Sequence, residues 1–116
     1  MADRLNLVRV GVSGTPGTGT ITLGSVVSGF LTMAQAGAVD GRIYDYAIES
    51  NVSGGVFTQR EVGLGVWNSS GNTLTRLQVR NSTNSNNKIS VATDAHVIIT
   101  LNSDPPDAMG RWLFTS

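Results

Sequence analysis

Apolar side chains recur at every second position in short runs along this chain, and each run ends in a cluster of Gly, Ser, Asn or Pro. That period places successive side chains on opposite faces of an extended strand, so the pattern predicts β-structure throughout. Leu5, Leu7 and Arg9 alternate with Val8, Val10 and Val12 in an opening strand that Gly14-Thr15-Pro16-Gly17 breaks. Thr18 to Leu23 forms a second strand, and Gly24 and Gly29 flank a short apolar stretch at Val26 and Val27. From Asp40-Gly41 onward Tyr44, Tyr46 and Ile48 share one face, with Asp45, Ala47 and Glu49 on the other. A wide turn over Ser50 to Gly55 leads into Phe57 to Val66, which runs back antiparallel.

In Arg60 to Arg76 the spacing is the most specific. Val62, Leu64 and Val66 alternate with Gly63 and Gly65. The apolar triad is expected on the buried side and the glycines against backbone or solvent. Ser69-Ser70-Gly71-Asn72 supplies the positive-φ residues of a hairpin, and the return strand carries Thr73, Thr75, Leu77 and Val79 on one parity and Leu74, Arg76 and Gln78 on the other. After a polar loop from Asn81 to Asn87, Ile89 and Val91 read as a short strand, and Val97, Ile99 and Leu101 as the last. Only Phe30 to Val39, with Leu31, Ala34, Gln35 and Ala38 near helical spacing, departs from this period; between Gly29 and Gly37 it supports one or two turns at most, or an extended loop.

About eight short strands with turn signals roughly every ten residues predict an all-β chain: an antiparallel β-sandwich of jelly-roll type, or a barrel, with at most one short helix. The strands fall within residues 1–102, a single domain. Residues 103–116 read as an extended C-terminal arm, because Asn102-Ser103-Asp104-Pro105-Pro106-Asp107 cannot continue a strand. The arm ends in the apolar tip Trp112-Leu113-Phe114, suited either to fold back over its own domain or to anchor on a neighbouring subunit. Leu5 and Leu7 are weaker candidates for a similar contact.

Composition narrows the functional classes. With 8 basic and 8 acidic side chains the formal net charge is zero, so no long-range attraction to nucleic acid is expected, and little self-repulsion opposes association. Arg60, Arg76, Arg80 and Trp67 would be the residues of a basic, stacking surface, but Lys88 is the sole lysine. No cysteine is present, which removes disulfides and thiolate metal sites. No basic region followed by an apolar core opens the chain and no apolar run approaches the roughly 18 residues of a membrane helix, so export and membrane contact are not expected.

Catalytic patterns find little footing. His96 is the single histidine, placed by parity opposite Val97 and Ile99, and no Gly-x-Ser-x-Gly elbow accompanies it. Asp45 and Glu49 share a strand face at about 13 Å, too far for a retaining carboxylate pair. The glycine-rich Gly11 to Gly19 lacks the Lys-Ser/Thr ending of a phosphate-binding loop. No catalytic, metal or cofactor-binding residue is assigned, and no cofactor is expected.

Thr18-Gly19-Thr20-Ile21-Thr22-Leu23-Gly24, Gly29-Phe30-Leu31-Thr32, Ala36-Gly37-Ala38-Val39-Asp40-Gly41, Tyr46-Ala47-Ile48-Glu49, Arg60 to Arg76 and Asn81-Ser82-Thr83-Asn84 carry a resemblance. Over Asp3 to Leu101 they resemble a β-module of structural proteins of tailed bacteriophages, including fibre-associated and head-surface proteins. Its hairpin motif falls on Glu61, Gly63, Gly65, Gly71 and Arg76. The resemblance implies a non-enzymatic virion protein, assembled in the host cytoplasm as a symmetric oligomer such as a homotrimer, in contact with a major capsid protein or other virion proteins. A chain ending soon after the module, with its own apolar tip, fits a head-decoration (capsid cement) protein better than a long fibre; a tail, collar or fibre-attachment component is the alternative. A third reading is a carbohydrate-binding module with Tyr44, Tyr46 and Trp67 as stacking rings.

Overall fold

A computed structural model describes residues 7–99. Among them are six strands and no helix: β1 (Val8–Val12), β2 (Ile21–Val26), β3 (Ile43–Ser53), β4 (Val56–Asn68), β5 (Thr73–Ser82) and β6 (His96–Ile99). All neighbours are antiparallel, and the sheet closes on itself in the order β1-β2-β5-β4-β3-β6. The described residues are thus all-β, and their single sheet takes the barrel closure rather than the two stacked layers of a sandwich or jelly roll. Closure rests on β6, which lies between β1 (Val8↔Ile99, Gly11↔His96) and β3 (Tyr46↔Ile99, Glu49↔His96).

Fewer strands form among the described residues than the alternation suggested, for local reasons. Ile89 and Val91 are buried, but only Val91 makes a bridge, to Gly17, because this stretch crosses a mouth of the barrel. Phe30 to Val39 contains one isolated turn. Thr32 and Gln35 cap it reciprocally, with the Thr32 N–H on Gln35 Oε1 (3.0 Å) and the Gln35 N–H on Thr32 Oγ1 (3.1 Å). Gly37, at φ 93°, ends it, and the Ala38 N–H closes back on the Met33 carbonyl at 3.0 Å. Start and stop signals five residues apart leave no room for a helix.

The first hairpin is tighter than a wide turn at Ser50–Gly55. β3 runs on to Ser53, and Gly54-Gly55, both at positive φ (60° and 83°), makes a two-residue loop whose twist matches the strands. The second hairpin turns at Ser69-Ser70-Gly71-Asn72 as expected, with Gly71 and Asn72 at φ 80° and 52°.

Side chains from all six strands fill the interior: Val8, Val10, Ile21, Leu23, Tyr44, Tyr46, Ile48, Trp67, Leu74, Val97 and Ile99. Met33, from the β2–β3 connection, plugs one end, and Ile89, Val91 and Ala95, from the β5–β6 connection, plug the other. On β4 the inward parity is the reverse of the expected one. Glu61, Gly63, Gly65 and Trp67 point in and are buried, while Val62, Leu64 and Val66 are half-exposed on the outer wall. A narrow barrel leaves no room for a second layer of side chains there, because Tyr46 and Leu74 already occupy the space. A Cβ on Gly63 would meet the Gln78 carbonyl and lie 2.8 Å from the Tyr46 hydroxyl; one on Gly65 would meet Leu74 Cδ1 at 3.0 Å. Across from these glycines β5 is bulged twice: pairing steps from Leu64↔Gln78 to Gly65↔Arg76 and from Val62↔Asn81 to Gly63↔Val79, leaving Leu77 and Arg80 as extra residues. Such bulges supply the local bend that closure of a small barrel demands.

Candidate functional site

Two polar constellations stand out, one inside the barrel and one across its outer wall. Inside, Arg76 of β5 and Glu61 of β4 form an ion pair (Nη1–Oε1, 3.1 Å) with both side chains fully buried. The Tyr46 hydroxyl donates to Glu61 Oε2 at 2.5 Å, and the Ile89 N–H donates to Oε1 at 2.8 Å. Arg76 also donates from Nη1 to the Ile89 carbonyl (3.1 Å) and from Nη2 to the carbonyls of Gly17 and Gly19 (2.8 and 3.0 Å). Charge is therefore kept in an apolar interior only because each group has several partners. Burial, and then the bond to Glu61, push the Tyr46 phenol well above its ordinary value, so it remains a neutral donor. The cluster ties the β1–β2 and β5–β6 connections to the wall and closes one mouth; its atoms face protein, and its chemistry is that of a structural clamp.

Outside, Arg9, His96, Glu49 and Arg60 line up across β1, β6, β3 and β4. Arg9 reaches Glu49 Oε1 from Nη2 (2.7 Å) and His96 Nδ1 from Nε (3.1 Å), and Arg60 Nε reaches Glu49 Oε2 (3.1 Å). The Phe57 ring packs on His96 at 5.3 Å between centroids. Burial of Glu49 works to raise its pKa, but the hydrogen bonds from both arginines outweigh this and hold the carboxyl below its ordinary range. For His96, burial and then the Arg9 charge lower the pKa, with Glu49 and Asp94 opposing.

A folded-state imidazole held below its unfolded value makes protonation unfavourable to the fold. Its contribution is complete above about pH 6.5 and is lost as the pH falls through that value toward the folded one. The thermal midpoint is therefore expected to drop between pH 7 and 5, and His96→Gln should flatten the curve in that window; an unchanged slope in the variant would remove His96 as the cause. The slope below about pH 4.5 belongs to the carboxylates and should remain.

Asp94 anchors the projecting β3–β4 hairpin by accepting the N–H groups of Asn51 (2.9 Å) and Val52 (2.8 Å), where Asn51 sits at φ 60°. Asp94→Ala is expected to accelerate amide hydrogen exchange at these two residues while leaving the β1–β6 ladder protected. Uniform loss of protection would show that Asp94 supports the whole barrel instead.

The residues singled out from the sequence scatter. Glu61, Gly63 and Arg76 of the hairpin motif converge on the interior clamp with Tyr46. Gly65 packs on Leu74, and Gly71 serves the turn. Leu7 is exposed at 62 % and lies just before β1. Leu5, Trp112, Leu113 and Phe114, like the arm as a whole, lie outside the described residues. Tyr44, Tyr46 and Trp67 are buried, so these rings cannot form a sugar-stacking platform. Arg60, Arg76, Arg80 and Trp67 do not share a surface either, since Arg76 and Trp67 point into the core while Arg60 is on the outer wall. Asp45 and Glu49 share the outer parity, but Asp45 is buried and Glu49 is committed to two arginines. The stripe on Arg9, Glu49 and His96 was missed because its members come from strands far apart in sequence. No family model, curated protein or solved structure matches the chain.

Proposed function

We propose that this chain is a non-enzymatic structural protein of a bacteriophage virion, a head-decoration (capsid cement) protein that forms homotrimers and docks on the major capsid protein through its terminal arms. The observation that supports this reading best is an inversion of the usual economy of polar and apolar groups. Glu61, Arg76 and the Tyr46 hydroxyl are spent inside on holding the barrel shut, while large apolar side chains are left outside at both ends of it. Val56, 60 % exposed, and Val52 lie on the hairpin that projects past the clamped mouth; Leu7, Phe30, Val39 and Ile43 are exposed toward the opposite end. Exposed apolar groups at opposite poles of a body with zero formal net charge are suited to being gripped by neighbours. A closed sheet has no free edge, so contacts must be made by faces and arms rather than by strand addition.

The reading is tested by quantitative mass spectrometry of purified particles. Hundreds of copies per particle are expected for a decoration protein. A small multiple of three or six would move the chain to the tail, collar or fibre attachment, and absence from particles would end the virion reading altogether.

A further inference from the structure

At the end of the barrel where Ile99 pairs with Val8 on one side and Tyr46 on the other, the neighbouring segments bring apolar side chains to the surface. On the β1 side, the Leu31 N–H donates to the Leu7 carbonyl (2.7 Å), which sets Phe30 next to Leu7; the Arg9 guanidinium lies 5.8 Å from the Phe30 ring centroid. On the β3 side, the Val39 N–H donates to the Tyr44 hydroxyl (2.8 Å), and Ile43 opens β3 with its side chain exposed. Leu7 is 62 %, Phe30 38 %, Val39 48 % and Ile43 42 % exposed, so this end of the barrel carries a rim of uncovered apolar groups.

We propose that this rim is the receiving surface for the Trp112-Leu113-Phe114 segment of a second copy of the chain. The inference rests on the reading of an assembling structural protein and names the contact that would join its subunits. Trp112 follows Ile99 by 13 residues, a spacer that can reach up to about 45 Å, and the Pro105-Pro106 pair midway stiffens such a spacer, which suits reaching a neighbour better than doubling back. An aromatic tip entering an apolar rim on a neighbour is the usual form of an interface anchor, and exchange of one such arm per subunit around a rotation axis closes a ring.

The test is sedimentation equilibrium of the full chain and of four variants over a wide concentration range: Trp112→Ala in the tip, Phe30→Ser and Val39→Ser in the rim, and Val56→Ser at the opposite pole. Concentration-dependent association is expected for the parent chain, weakened about thirty-fold or more by Trp112→Ala and by each rim substitution, and unchanged by Val56→Ser. Far-ultraviolet circular dichroism establishes that each variant is folded, and two independent rim substitutions guard against one that is not. A parent chain that is monomeric at every concentration overturns the proposal, as does association that ignores both rim substitutions. If the rim substitutions have no effect but particles still carry the protein in the expected number, this contact falls and the functional reading stands; absence from particles defeats that reading itself.

Discussion

Glu61→Leu is expected to destabilise the fold by about 3–5 kcal/mol, read from urea or guanidinium denaturation with the slope of the transition unchanged. The substitution strips the Arg76 guanidinium of its counter-charge inside the barrel and removes the hydrogen bonds that Glu61 accepts from the Tyr46 hydroxyl and the Ile89 N–H. The guanidinium is held by the carbonyls of Gly17, Gly19 and Ile89 as well, which soften the loss but do not neutralise the charge. Glu61→Leu combined with Arg76→Met should recover a large part of the deficit, since removing both charges costs far less than stranding one. A single variant within about 1 kcal/mol of the parent, or a double variant that is merely the sum of its parts, would refute the clamp.

Gly63→Ala should be nearly as damaging, at about 3 kcal/mol, although it adds a single methyl group. The atom that the new Cβ would meet is the carbonyl oxygen of Gln78, part of the bulged β5 backbone, and the second obstacle is the Tyr46 hydroxyl, which is fixed by Glu61. Neither can swing aside as the end of a long side chain would. Gly11→Ala is the internal control: its Cβ would lie 3.7 Å from its nearest neighbour at an ordinary backbone angle, so a change below about 1 kcal/mol is expected. Equal losses at the two positions would mean that backbone entropy, rather than the close approach, governs both.

Alternation along the sequence was enough to locate the strands of both hairpins and the Ser69–Asn72 turn, because those signals are local. It was misleading about which side of β4 faces in. Val62, Leu64 and Val66 are the greasier set, yet the interior takes Glu61, Gly63, Gly65 and Trp67, since the space there is fixed by Tyr46 and Leu74 arriving from other strands. Glu61 and Arg76 were visible only as parts of a hairpin motif. Two bulges in β5 alter the pairing so that Glu61 sits opposite Ser82, and Arg76 reaches it along the barrel interior rather than across a rung. A pattern of period two carries no record of bulges. The choice between a barrel and a sandwich was likewise out of reach, because it is decided by the pairing of β1 with β6, strands separated by most of the chain.

That pairing has a consequence for how the molecule is made. The meander from β3 through β5 contains only near-neighbour contacts, so it can organise while later residues are still emerging from the ribosome. Gly11 must wait for His96, and Val8 for Ile99. Until then β1 and β3 present bare backbone along the side that β6 will fill, and synthesis passes through an interval in which an unfinished sheet can capture the wrong strand. Crowded expression should therefore favour aggregates seeded by incomplete chains, and slowing initiation, rather than adding stabilising substitutions, is the remedy that follows.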